Sequence, residues 1–295
     1  MKNNILYSQK VAPYLFVFPF IISFTLFFLY PIISTIMMSF QKVLPGEVTF
    51  IGLKNYERLL NSHFYAALWN SARYTFWTLL ILIPLPMLLA VLLNSKLTPC
   101  KNFFKASLFI PILTSTIVAG TIFRLLFSEM DTGFANSMLH AFGFESLKWL
   151  RKRETAMFLM VLLCSWRWLG VNILYFLAGL QAVPQELYEA AEIDGAGTWD
   201  RFRHITFPLL KPVTIYVLTI SVYGGFRMFE ESYVYWQSNS PSDIGLTIVS
   251  YLYQRGIQMN EMGLASAIGV VLLGIVLTIN LMQLFMTGTL GKEKE

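Results

Sequence analysis

Long apolar runs alternate with short polar segments along the whole chain. A membrane-crossing helix needs about 20 mostly apolar residues, and six stretches meet that demand: 12–40, 71–94, 106–128, 156–180, 209–235 and 262–289. The first, uncharged from Val11 to Gln41, follows Lys2 and Lys10. It is too long for a cleaved leader and has no small-residue cleavage pattern near its end, so it reads as a retained span. Pro13, Pro19 and Pro31 in the first run, and Pro84 and Pro86 in the second, predict kinked helices packed against neighbours that satisfy the freed carbonyls. The last run carries Gly263, Ala265, Ser266, Ala267, Gly269 and Gly274; small residues let backbones approach, which predicts tight helix packing.

Residues 183–212 interrupt this pattern. Glu186, Glu189, Glu192, Asp194, Asp200, Arg201, Arg203 and Lys211 fall there, so the segment belongs in water. Pro184 suits a first helical position, the following residues favour helix as far as Gly195, and Gly195 suits a stop. Thr198 suits the cap of a second short helix that ends near Pro208. The pattern predicts helix, glycine turn and helix at the aqueous edge of a membrane.

Composition sharpens the membrane reading. Charged residues are 13% of the chain and mean hydropathy is +0.57, whereas soluble proteins average about 25% charged residues. The net charge of +5 is dispersed, with no basic run that would suit nucleic acid. Cys100 and Cys164 lack metal-ligand spacing and read as unreactive. With the N-terminus inside, ten lysines and arginines fall on inner segments and eight on outer loops, a small bias of the expected sign. The cluster Arg151-Lys152-Arg153 in the mixed-charge outer loop 129–155 opposes it. Trp149 in that loop suits an interfacial position.

The island's spelling carries a resemblance. Glu189-Ala190-Ala191, then Gly195, then Ile205-x-Phe207-Pro208 is similar to the cytoplasmic signature of permease subunits of binding-protein-dependent ABC importers, with Phe207 where that family usually has leucine. Tyr30-Pro31, Ser39-Phe40, residues 50–56 (FIGLKNY), Asn70-Ser71 and Gly133-x-Ala135-Asn136 resemble the carbohydrate-importing branch, the maltose and glycerol-phosphate type; the opening segment is similar to arabinose and arabino-oligosaccharide systems. The resemblance implies an all-α domain over 12–289, with six transmembrane helices, cytoplasmic ends at 1–11 and 290–295, and a coupling loop at 183–208 between the fourth and fifth spans. It implies a prokaryotic plasma (inner) membrane, a second homologous permease forming a heterodimer, two ATPase subunits that bind ATP and Mg²⁺, and an extracytoplasmic solute-binding protein. Glu189, Ala190, Ala191, Gly195, Ile205 and Pro208 would engage the ATPase.

Ionisable residues within spans mark the remaining candidates, because a charge in hydrocarbon faces protein or water. Arg167 lies in the fourth run; Arg227, Glu230 and Glu231 lie in the fifth at helical i, i+3 and i+4 spacing, which puts them on one helical side. With Asn172, Tyr175 and Tyr223 they suit the path of an uncharged, hydroxyl-rich solute: rings pack on sugar C–H faces while charged groups bond hydroxyls. A structural ion pair with an outer aromatic belt that includes Tyr235 and Trp236 accounts for the same residues. No phosphate-binding loop or nucleophile elbow occurs, which leaves this chain no cofactor, metal or catalytic set of its own. An ion-coupled secondary transporter is the rival reading; it would need mid-membrane carboxylates and has no use for residues 183–212. An intramembrane enzyme would need an acidic or histidine cluster that the spans lack.

Overall fold

A computed structural model describes residues 11–44, 46–95, 99–237 and 240–288. Lys2, Lys10, Lys96, Lys292, Lys294 and the tail 290–295 lie outside the described residues, as does most of the 1–11 end. Among the described residues, four single helices are long and apolar enough to cross a membrane: α1 (Ala12–Ser39), α3 (Ser62–Asn94), α7 (Arg153–Gln181) and α13 (Met262–Met286). Two bent pairs pass the same test together, α4 (Lys101–Leu113) with α5 (Thr116–Leu126), and α9 (Thr198–Leu209) with α10–α11 (Lys211–Trp236), giving up to six crossings. Between them lie α2 (Lys54–Arg58), α6 (Phe134–Ala141), α8 (Gln185–Ile193) and α12 (Ile248–Tyr253). α10 is Lys211–Phe226 and α11 is Glu230–Trp236. Among the described residues the fold is all-α apart from one antiparallel hairpin, β1 (Gln41–Leu44) on β2 (Glu47–Phe50), with Gln41 opposite Phe50.

Two spans differ from the uninterrupted helices expected. The third turns by 97° between α4 and α5. Pro111 removes one amide donor from α4, and Thr114 and Ser115 then take extended backbone at ψ 133° and 134°. The fifth stops at Phe226 and resumes at Glu230, with Phe229 at φ −137° between. Gly224 and Gly225 precede that break, and each glycine lowers helix propensity by about 1 kcal/mol relative to alanine.

The chain forms two compact units. The first comprises residues 11–61 with Leu252–Leu273. Its organiser is Asn55, 2% exposed, whose amide donates to the carbonyls of Ser39 and Gln41 at 2.9 Å each. Ser39 Oγ and Tyr56 Oη are 2.7 Å apart, Arg58 pairs with Glu261, and Gly263 lies directly on the Gln41 carbonyl, where no Cβ would fit. Tight packing of the last helix is thus met at Gly263; Gly274 faces open space within 4 Å. The membrane-long window of α1 is 0% buried within this chain. Its turn widens over Thr25–Leu29, where the Tyr30 N–H reaches Thr25 O, so the helix absorbs Pro31 by its own backbone adjustment.

The second unit, Ser62–Tyr251 with Gly274 onward, is built on α7, whose apolar window is 56% buried. Leu159, Met160 and Leu163 pack with Tyr74, Ala119 and Tyr235 in one cluster; Ile173, Phe176 and Leu180 pack with Met87, Ala90 and Leu210 in another. Trp149, expected at an interface, is buried, and its indole donates to Asn136 Oδ1 at 2.9 Å. Asn136 also accepts from the Leu147 N–H and donates toward the carbonyls of Ser128 and Met130, which folds the outer loop around one amide.

Candidate coupling and translocation sites

The polar island folds as a finger. α8 ends at Ile193, capped by Asp194; Gly195 takes φ +79°, its N–H reaches Glu192 O at 3.1 Å, and the Ala196 N–H reaches Ala191 O at 2.8 Å. Both bonds satisfy helix-end carbonyls in the left-handed turn that favours glycine. Pro184 is the residue before the helix rather than the first within it, and the second helix is capped by Gly197, not Thr198. Gly197 is extended, and its N–H donates to Asp200 Oδ2 at 3.3 Å, which leaves Thr198 as the first helical residue. Tyr188 Oη and Thr206 Oγ1, 3.0 Å apart, join the two limbs, helped by Arg201–Glu192 at 3.3 Å and Trp199 stacked on Phe202 at 5.5 Å.

The finger's outer edge is apolar and uncovered. Ile193 is 88% exposed, and Leu187, Trp199 and Phe207 are exposed as well. Ala190 and Pro208 are exposed, Ala191 and Ile205 half-buried, and the Glu189 carboxylate accepts from Gln185 Nε2 at 2.9 Å.

Within the membrane, the expected single helical side of Arg227, Glu230 and Glu231 does not form, because the helix breaks between Arg227 and Glu230. Arg227 caps the end of α10, exposed, with its guanidinium 5.8 Å from the centre of the exposed Tyr223 ring. Glu230 and Glu231 open α11 and part company: the Glu230 side chain is 64% exposed and that of Glu231 8%. Arg167 approaches both, with Nη1 at 4.0 and 3.8 Å. The Thr116 hydroxyl donates to Glu230; the charge pattern did not single out this residue, although Pro111 followed by Ser115-Thr116 is a visible break signal. Asn172 is buried and donates to Leu82 O at 2.8 Å. Tyr175 meets Tyr216 edge-on at 5.2 Å beside a cleft of about 420 Å³ lined also by Gly179 and Val213. Tyr235, assigned to an aromatic belt, lies in the core, and Trp236 is half-buried with its indole donating to Leu150 O at 3.1 Å.

The family described as "Binding-protein-dependent transport system inner membrane component" matches residues 8–287. The chain belongs to that family. It is 63% identical over 291 residues to the arabinooligosaccharides transport system permease protein AraP of Bacillus subtilis, covering 99% of this chain and 93% of that protein. It is 58% identical over 285 residues to the protein of the same name from Halalkalibacterium halodurans, covering 97% and 90%. A bacterial alginate ABC transporter, crystallised in complex with an alginate pentasaccharide-bound periplasmic protein, shares the fold at TM-score 0.84 and 24% identity over 95% of each chain. This inner membrane component is therefore a multi-pass permease and not an enzyme, as its resemblance to carbohydrate-importer permeases implied.

Proposed function

We propose that this permease forms half of the translocation path of an ATP-driven importer for neutral oligosaccharides of the arabinose class. The substrate class is supported by the two relatives named for arabino-oligosaccharides, 63% and 58% identical over nearly the whole chain. The coupling is carried by one observation, the uncovered apolar edge of the finger around Ile193. Glu189, Ala190, Ala191, Gly195, Ile205 and Pro208 belong to that lever, which seats in an ATPase subunit at the cytoplasmic face, where both chain ends also lie. Two ATPase subunits bind the ATP and Mg²⁺, a second homologous permease completes a heterodimer, and an extracytoplasmic binding protein delivers the sugar. The periplasmic protein bound to the alginate transporter supports that last partner by likeness of fold. Tyr175, Tyr223, Arg227 and Glu230 line the path, where exposed rings and charged groups suit a hydroxyl-rich solute; Arg167, Asn172 and Glu231 shape it from behind.

The test is uptake of labelled arabinotriose by cells carrying or lacking this gene, with ATP depletion and an uncoupler applied separately. Uptake is expected to require the gene and ATP and to survive the uncoupler. Uptake that follows the ion gradient instead would establish a secondary transporter.

A further inference from the structure

The two broken spans of the second unit are fastened to one another at their breaks. α5 begins at Thr116, just past the 97° bend, and the Thr116 hydroxyl donates to Glu230, the first residue of α11. One turn further along both helices, Gly120 lies against Val234 so closely that a Cβ would collide with the valine methyl. Thr116 and Gly120 are four residues apart, as are Glu230 and Val234, so the two short helices run side by side from break to break. Gly120 is what allows that approach.

A third element holds the pair. Arg167 projects from α7 with Nη1 3.8 Å from Glu231 Oε1 and 4.0 Å from Glu230 Oε2. Its side chain is 11% exposed and that of Glu231 8%, so this is a charge pair withdrawn from water. Neither distance is a hydrogen bond, and Arg167 Nε is buried without a hydrogen-bond partner. A guanidinium with an idle donor, between two carboxylates just beyond bonding range, attracts both and is locked to neither. That suits a contact that must release. A structural clamp would show the bidentate geometry of a tight arginine–carboxylate pair.

We propose that Arg167 is a positioning residue for transport: by neutralising Glu231 it keeps the α5–α11 pair against α7 and the solute path shut there until the binding protein docks. The proposal rests on the importer reading above. Removing the guanidinium leaves Glu231 buried without a counter-charge, which favours arrangements in which α11 swings to bring that carboxylate to water. The equilibrium then shifts toward the released state without the binding protein.

The experiment uses the complete transporter in lipid nanodiscs, with ATP hydrolysis measured with and without the solute-binding protein loaded with an arabino-oligosaccharide. Arg167→Met, Glu231→Gln, both together, and Arg167→Lys are compared per assembled complex. Arg167→Met is expected to raise hydrolysis without the binding protein at least about fivefold, while Arg167→Lys, Glu231→Gln and the double variant, none of which leaves an uncompensated carboxylate at position 231, keep wild-type dependence. The double variant leaves no lone buried charge and assembles even where the single ones do not. An Arg167→Met complex as dependent on the binding protein as the wild type overturns the latch, as does a double variant that hydrolyses ATP without the binding protein. A wild-type complex whose hydrolysis the binding protein does not raise overturns the importer reading, and the latch with it.

Discussion

Gly170 on α7 and Leu108 on α4 touch with no room for a side chain between them: a Cβ at position 170 would lie 2.6 Å from the Leu108 carbonyl carbon and 2.9 Å from Phe109 Cα. Backbone cannot step aside as a flexible side chain can. Gly170→Ala is therefore expected to destabilise the second unit by about 1–3 kcal/mol. Gly274→Ala, at a site with no atom within 4 Å, is the control and is expected to be neutral or slightly stabilising. Thermal unfolding of the two variants in the same detergent decides; equal midpoints would refute the backbone contact.

Asn172 makes a different prediction from its place in the sequence. Pro86 has no N–H to offer the Leu82 carbonyl, and Asn172 Nδ2 supplies a donor at 2.8 Å. Asn172→Leu leaves a buried acceptor unmet and is expected to cost about 1–3 kcal/mol. Pro86→Ala restores a backbone donor, so the double variant is expected to recover most of the loss. A double variant as unstable as Asn172→Leu alone would show that the bond does not matter.

The finger predicts a loss of coupling without a loss of folding. Gly195→Pro cannot adopt φ +79°, and it also deletes the N–H that reaches Glu192 O at 3.1 Å. Glu189→Lys reverses a charge on the exposed face of α8. Both variants are expected to stay in the membrane at normal abundance while the ATPase no longer copurifies or its hydrolysis no longer drives uptake. Normal transport in both would remove the finger from the mechanism.

How much of this could be read from the chain alone depends on what hydropathy senses. The apolar runs were visible because lipid demands a sustained average, and the turn at Gly195 because one residue type tolerates its backbone. Hydropathy passed over the bend at Thr114–Ser115, because a change of direction within an apolar run leaves the average untouched; only the local signal of Pro111 followed by Ser115-Thr116 marked it. Helical spacing placed Arg227, Glu230 and Glu231 on one side only by assuming a continuous helix; the break at Phe229 leaves one carboxylate exposed and buries the next. Asn172 sits among aromatic residues in the sequence, and nothing local shows that its amide donates to the Leu82 carbonyl far away in the chain. Partner choice by buried amides is a long-range fact, and local pattern does not carry it.

The proposed sugar path yields a prediction at two exposed positions. Tyr223 is 52% exposed, and the Glu230 side chain keeps most of its surface open while held by Thr116. A hydrogen bond from a sugar hydroxyl to a carboxylate is worth about 1.5–3 kcal/mol, and each 1.4 kcal/mol is a factor of about ten in affinity. Glu230→Gln is thus expected to raise the apparent KM for arabinotriose uptake about tenfold or more. Tyr223→Ala removes the ring that would pack on the sugar face, a loss of about 1 kcal/mol, and is expected to raise it several-fold. Initial uptake rates over a range of sugar concentrations, normalised to permease abundance, give both numbers. Unchanged KM in the two variants would return these residues to a structural role and leave the path to be sought along another side of α10.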